Sequence, residues 1–567
     1  MLRLSELKLP LDHSDADLTD ALCRRLRIRP EQLLEQRLVK RSIDARRRQA
    51  IQLAYSVEIR LEAQLEQQLL QRFRRDPHLQ PATDQHYLPV TAAPPGIADG
   101  TLPRPVVVGA GPCGYFCALV LAQMGFRPLL LERGKAVKER TADTFGFWKR
   151  QRPFNPESNA QFGEGGAGTF SDGKLYSQVR DPRHLGRKVL EELVAAGANP
   201  EILVQHHPHI GTYKLATVVR GLRAQIEQLG GEIRFQARVE NLELDPATRQ
   251  VRGLHLANGD RIAAEQVVLA LGHSARDSFA MLHERGVAME RKPFSVGVRI
   301  EHPQPLIDAA RWGDCAGHPQ LGPAEYKLVH HSSNGRCVYS FCMCPGGLVV
   351  GATSEPGRVV TNGMSQHSRN ERNANSGIVV NIEPEDVEPY GACPGDPLAG
   401  VAFQRHWESC AYTLGGGTFA APAQRLVDFL ADRPSSALGS VEPSYAPGIT
   451  LTNLNTALPA YVIEALREAL PAFQRTIPGY AMDDALLTGV ETRTSSPLRL
   501  PREPENGERP LESCNTPGLY PAGEGAGYAG GILSAGIDGI RVAEAVALTL
   551  RRRRNPEGPG GSACGRA

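Results

Sequence analysis

The run PVVVGAGPCGYFCALVLAQMGFRPLLLERG, residues 105–134, constrains the fold of this chain more than any other segment. An apolar strand, a tight glycine turn, a helix and a second apolar strand follow one another, the pattern of a βαβ unit. Gly109, Gly111 and Gly114 form GxGxxG directly after the strand residues VVV. In such a turn the first glycine permits the bend, the second lets backbone approach a pyrophosphate, and the third lets the helix lie close on the strand. Phosphate then meets the helix N-terminus, where free N–H groups and the dipole favour negative charge. Glu132 ends the second strand, 23 residues after Gly109, where its carboxylate can accept hydrogen bonds from ribose hydroxyls and repel a 2′-phosphate. Strand, turn, helix and terminal acid together predict a dinucleotide site, and Arg133, beside Glu132, is counted with it.

The kind of dinucleotide is decided far downstream, because FAD proteins of this fold complete the flavin pocket with a late segment whereas NAD domains finish locally. GLYPAGEGAGYAGGILSAGIDGIRVAEAVA predicts a strand ending at Gly523 and Glu524, a loop, and a helix opening at Gly531 and Ile532. That helix start aims its positive end at the flavin pyrimidine oxygen and stabilises the negative charge of reduced flavin. Glu524 is placed to bond the ribityl chain or to bridge to phosphate through water. FGEGGAGTFSDGK, residues 162–174, holds five glycines and reads as a loop whose backbone closely approaches the flavin. Gly166 and Lys174 belong to this loop, and Lys174 brings positive charge toward the flavin or an anionic substrate.

VVVGAGPCGYFCALVLA, FGEGGAGTFSDGKLYS, PHIGTYKL, VVLALGHSARDSF, FCMCPGG, GVETRTSSPLR and YPAGEGAGYAGGI, together with LPLDHSDADL near the start, carry a resemblance that spans nearly the whole chain. In these segments the chain resembles the glutathione-reductase-like FAD flavoprotein superfamily, and closely a bacterial family of FAD-dependent dehydrogenases within it. The resemblance implies that Val239, in RVENLEL, presents its backbone to adenine, and that Gly272 and His273 border the cofactor. It brings no reaction with it.

At 567 residues the chain exceeds the roughly 250–300 residues at which single cores stop growing. Residues 1–76 alternate strand-like and helical runs and read as a small α+β module. Residues 77–104 read as a semi-rigid, proline-rich linker. A Rossmann-like α/β FAD-binding domain follows in two parts, 105–278 and 483–550, around an inserted, mostly antiparallel substrate domain at 279–482. Residues 551–567 read as a disordered tail. With 41% hydrophobic residues, 22% charged residues and a net charge of +2, the chain is expected to bury sizeable cores and not to be built mainly for coating nucleic acid. No apolar run reaches the ~18–20 residues of a membrane span, and no apolar leader precedes a cleavage site, so a cytoplasmic location is expected. Eleven cysteines without CxxC pairs signal neither a disulfide framework nor a metal site.

GVETRTSSP, residues 489–497, sets Glu491 and Arg493 on one side of a strand ahead of the late segment. Arg493 suits a substrate carboxylate and Glu491 suits proton transfer; an internal ion pair at the domain junction accounts for them equally well. Lys174 completes the catalytic candidates. Cys342 and Cys344, two apart in a strand, are expected on one face, where they make poor disulfide partners and read as packing. The CxxxxC dithiol of disulfide reductases is absent, since no cysteine occurs from 118 to 314.

The leading function is therefore FAD-dependent oxidation or reduction of a small organic substrate. No second GxGxxG unit suited to a bound nicotinamide is present, but NADH or NADPH can reduce a flavin from its open face. RNA modification is an alternative, motivated by ten Lys or Arg against three acids from Arg24 to Arg48, which otherwise read as a solvated helix face. A non-catalytic flavin sensor or scaffold is the third reading.

Overall fold

The computed structural model describes residues 1–552. Val106–Val108, Leu129–Leu131 and Val267–Leu269 are buried on both faces, which is why they read as continuous apolar runs and not as alternating ones. They form the centre of a five-stranded parallel sheet ordered Leu519–Pro521, Val267–Leu269, Val106–Val108, Leu129–Leu131, Glu232–Arg234. On one face the helix Pro112–Gln123, buried from Cys113 to Ala122, packs along the last helix, Ile532–Arg552. On the other face sits an antiparallel meander of Val239–Leu244, Val251–Leu256 and Arg261–Ala263. The edge strand Leu519–Pro521 and the last helix come from the late segment, so the two parts of this Rossmann-like domain complete each other.

Between them the chain builds a seven-stranded sheet ordered Val329–His331, Cys337–Cys344, Asn373–Ile382, Phe294–Pro303, Leu486–Glu491, Ala421–Arg425, Ile449–Leu451. Every pairing is antiparallel except the last, as expected of the insert. Leu486–Glu491 is an interior strand of this sheet, so residues 483–491 sit with the insert and not with the second part of the FAD domain. The junction misplaced at 482 lies after Glu491. The run LLTGVE is wholly buried, and periodicity alone does not tell which sheet a wholly buried strand joins.

The N-terminal module is a four-stranded antiparallel sheet ordered Glu35–Asp44, Gln52–Arg60, Leu2–Pro10, Leu79–Pro81. Leu2, Leu4, Val57 and Ile59 are buried in one core with Leu22, Leu26 and Leu69 of the helices Asp15–Leu26 and Ala63–Arg72. Because Leu79–Pro81 pairs with Leu2–Leu4, the module closes at 81 and not at 76. The basic run from Arg24 to Arg48 is not one helix face. It passes through a helix end and the edge strand Glu35–Asp44, where Arg37 is paired with Glu58, and Asp44 with Lys8 and Arg46. That strand docks on the nucleotide domain: the Arg41 N–H donates to Val204 O at 2.6 Å, and the His206 N–H donates to Arg41 O at 2.9 Å.

The proline-rich stretch 77–104 is likewise tied down, by a short helix at Pro95–Ala98 and by the Ala93 N–H, which donates to Met124 O at 2.7 Å. Arg551 and Arg552, expected in the tail, end the last helix; the remainder of that tail lies outside the described residues. No helix among the described residues is long and apolar enough to cross a membrane.

Candidate functional site

At Gly109 φ is +106°, and a Cβ there would stand 2.2 Å from Ala270 O, so only glycine lets the turn close on the neighbouring strand. A Cβ on Gly114 would stand 1.8 Å from Gly109 O; this glycine seats the helix on the turn and does not line the cleft beside it. Gly111 is the N-cap of the helix Pro112–Gln123, and no side chain caps that end. Its first-turn N–H groups are left beside the cleft for an anion.

Glu132 is 5% exposed, and its carboxylate organises the site. It accepts the N–H of Ala110 at 2.8 Å, of Gly134 at 2.8 Å and of Gly163 at 2.9 Å, tying the glycine turn to the second glycine loop. It also lines the cleft, where lone-pair capacity remains for a ribose hydroxyl. Arg133 lies over the Phe162 ring at 4.1 Å and pairs with Glu157 and Asp277. Val239 lines the same cleft.

The loop 162–174 is held from below by Arg140, which is fully buried and donates to the carbonyls of Asn159, Ala160, Gly163 and Glu164. Glu164 accepts the Tyr115 hydroxyl at 2.9 Å and the Val137 N–H at 2.6 Å. The backbone at Gly166 thereby faces the cleft, as do Gly531 and Ile532 at the start of the last helix. Gly523 shapes the turn instead: its N–H donates to Asp538 at 2.7 Å, and it is not on the cleft wall. Glu524 is on the wall, and burial pushes its carboxyl up to about 7, with Lys292 offsetting part of the rise.

Where the insert meets this cleft, Phe341, Cys342, Asn362, Arg493 and Thr494 join the wall beside Lys174 and His273. The Lys174 Nζ donates to Met343 O and stands 3.8 Å from Glu325. Burial alone would lower its pKa, but Glu325 and Asp172 outweigh burial and push it up to about 12, so it stays charged. His273 is held down to about 3 by burial, with Arg493 and Arg276 adding, and is neutral near pH 7. Arg493 is engaged on its inner side with Glu408, at 3.0 and 2.9 Å, and with the hydroxyls of Ser274 and Ser354. Burial would raise the Glu408 carboxyl, yet Arg276 and Arg493 hold it well below the usual range. Glu491 is not on the wall. Both its oxygens accept from Arg299, at 2.7 and 2.9 Å, which leaves it an internal ion pair and removes it as a proton-transfer group. The alternation expected of Cys342 and Cys344 is broken by a β-bulge between Phe341 and Cys344.

The cleft encloses about 1510 Å³, its open mouth included. It fits FAD: an uncapped helix end for pyrophosphate, Glu132 for ribose, and bare backbone at Gly272 and Gly531, where an added Cβ would meet nothing within 4 Å. Sequence reasoning missed Arg140, Arg276, Glu408 and Asn362. Arg276 and Asn362 lie in no nucleotide motif, and Glu408 reaches Arg276 and Arg493 from the distant helix Ala399–Leu414.

Three family models match in succession: a domain of unknown function at residues 1–60, pyridine nucleotide-disulphide oxidoreductase at 103–287, and FAD-dependent protein, C-terminal domain-like, at 293–494. An uncharacterized protein of Clostridium beijerinckii is 45% identical over 544 residues, 96% of this chain and 98% of the relative. Among solved structures, the halogenase PltM in complex with FAD is 12% identical with a TM-score of 0.37, over 80% of this chain and 70% of that one. The quinol fumarate reductase FrdA of E. coli is 12% identical with a TM-score of 0.33, over 81% and 72%. Likenesses this distant say nothing of the reaction. The cofactor is FAD, and the chain belongs to the same family as the Clostridium beijerinckii protein, a family of FAD-dependent proteins with a nucleotide domain of the pyridine nucleotide-disulphide oxidoreductase type.

Proposed function

We propose that the protein moves a hydride or an electron pair between bound FAD and a small organic substrate, with NADH or NADPH as electron donor. The observation that carries this reading is the shared lining of one cleft: Gly111, Glu132 and Gly531 come from the nucleotide domain, and Phe341, Cys342 and Asn362 from the insert. FAD, when bound, supplies the two-electron store. The chain supplies position and charge. Lys174 keeps a permanent positive charge on the wall, suited to an anionic substrate or to reduced flavin. Arg493 is held rigid by Glu408, Ser274 and Ser354, so the edge it turns to the cleft is preorganised. Glu524, with its carboxyl near neutrality, holds or releases a proton at pH 7.

Anaerobic mixing of the holoprotein with NADH, NADPH and small organic donors, followed at the flavin absorbance, tests the reading. Bleaching by one of them within seconds supports it. A flavin that dithionite bleaches and that none of these donors touches counts against it.

A further inference from the structure

The antiparallel hairpin of Gly347–Gly351 and Thr361–Ser365 sets Asn362 on the cleft wall. Its loop leads elsewhere. Ser354, early in the loop, accepts from Arg493 Nη1 at 2.6 Å, whereas Arg358, late in it, lines a second cavity that shares no residue with the flavin cleft. That cavity lies on one face of the helix Ala399–Leu414 and encloses about 1230 Å³, its open mouth included. Ala402, Arg405, Ser409 and Thr413 recur at the helical spacing of three and four residues and form its floor. Gln404 and Glu408 take the opposite, buried face, where both accept from Arg276 Nη2, at 2.9 and 2.6 Å.

The charges between the two cavities do not balance. Glu355 accepts from Arg276 Nη1 at 2.7 Å and from Arg405 Nε and Nη2 at 3.0 and 2.6 Å, and Arg358 Nη1 stands 3.6 Å away. Farther in, Arg276 and Arg493 share Glu408. Among the described residues no other carboxylate pairs with these arginines, so four positive charges stand on two negative ones. Burial alone would raise the Glu355 carboxyl, yet Arg405 and Arg276 hold it down to about 2, and it stays ionised. The surplus is felt at Arg493, whose pKa is lowered first by burial and then by Arg276. The side chains of Arg276 and Arg493 are 1% and 3% exposed, those of Arg358 and Arg405 24% and 36%, and the buried Arg358 Nε has no hydrogen-bond partner. Outside the flavin cleft, the surplus is open to an anion at Arg358 and Arg405.

We propose that the second cavity is an effector site for a small organic phosphate, whose head bridges Arg358 and Arg405 and whose occupancy is transmitted to Arg493 on the flavin cleft. Both guanidinia already reach toward one carboxylate, so one tetrahedral oxyanion can bridge them as well. A phosphate monoester, with a charge of about −1.5 to −2 at pH 7, matches the surplus better than a carboxylate does. The body of the ligand lies along Tyr390 and His406, whose rings meet edge to face at 5.4 Å. The Ser409 and Thr413 hydroxyls offer polar contacts on the same floor. An anion on Arg405 competes for its bonds to Glu355. Glu355 then bears more fully on Arg276, and Glu408, shared between Arg276 and Arg493, is freer for Arg493.

The test titrates the holoprotein with phenyl phosphate and with benzoate, by calorimetry and by the flavin absorption spectrum, alongside phenylglyoxal labelling of arginines mapped by peptide mass spectrometry. Phenyl phosphate is expected to bind more tightly than benzoate, to shift the flavin spectrum, and to protect Arg358 and Arg405 from labelling. Arg358→Gln and Arg405→Gln are each expected to weaken its binding about tenfold, the loss of one charge-assisted contact. Protection is read on the native chain, so the proposal stays open to refutation even where a variant fails to fold. Absence of both binding heat and protection overturns the site, and benzoate binding as tightly as phenyl phosphate overturns the ligand class. A spectral shift that Arg405→Gln retains in full places the ligand in the flavin cleft and overturns the proposal. Protection of both arginines with an unchanged flavin spectrum supports the site and overturns its link to Arg493.

Discussion

Glu132 accepts the backbone N–H of Gly163 at 2.9 Å across 31 residues of sequence, and this bond joins the two glycine loops that border the cleft. Loss of the carboxylate leaves three buried N–H groups without acceptors, at about 1–3 kcal/mol each. Glu132→Ala is therefore expected to purify with little flavin and to bind FAD at least tenfold more weakly. Glu132→Gln retains one carbonyl oxygen and is expected to fall between them. FAD titration followed by flavin fluorescence measures both.

Two glycines of the site should respond differently to a methyl group. Gly109→Ala drives a Cβ to 2.2 Å from Ala270 O at φ +106°, so the variant is expected to lose both stability and flavin. At Gly531, φ is +83° and nothing stands within 4 Å of an added Cβ. Gly531→Ala is expected to fold, with a backbone penalty of about 1–2 kcal/mol, and to weaken FAD binding. Thermal melting with and without added FAD separates the two effects.

Glu491 and Arg299 form a buried pair, and removing one partner strands a charge at about 3–5 kcal/mol. Glu491→Leu is expected to lower stability by that order. Replacing both partners with apolar residues should recover much of the loss. If Glu491 moved protons in the reaction, folded Glu491→Gln would lose turnover; the ion-pair role predicts that its kcat stays within a fewfold of the native value. Denaturant unfolding and steady-state rates read the two quantities.

Glu524 in the flavin-free protein has its carboxyl raised from 4.5 to about 7 by burial. The folded chain therefore holds a proton there that the unfolded chain has released, and the associated stability is complete below pH 4.5 and lost as pH rises through about 7. Melting temperatures of the apoprotein from pH 4.5 to 8 should show this decline, and Glu524→Gln should flatten it. An unchanged slope in the variant would place the titration elsewhere.

The nucleotide half of the fold was legible because its determinants are local. Gly109, Gly111, Gly114 and Glu132 lie within 24 residues, and each answers to a steric or hydrogen-bonding demand that the pattern itself expresses. The late segment was legible for the same reason, although Gly523 turned out to shape a turn and not a wall. The insert's chemistry was not legible. Glu491 and Arg493 look alike in sequence, but their partners Arg299 and Glu408 come from other elements, and only the assembled sheet shows that the first is sequestered while the second borders the cleft. Cys342 was misread because period-two alternation fails at a bulge, which leaves no sequence signal.

A crystal structure of the holoprotein tests the shared cleft most directly. The adenosine sugar is expected against Glu132 and the flavin ring beside Lys174, with Phe341 and Cys342 of the insert bordering the space on its substrate side. A flavin ring turned away from the insert, with no path from its reactive edge to Cys342 or Arg493, would contradict it.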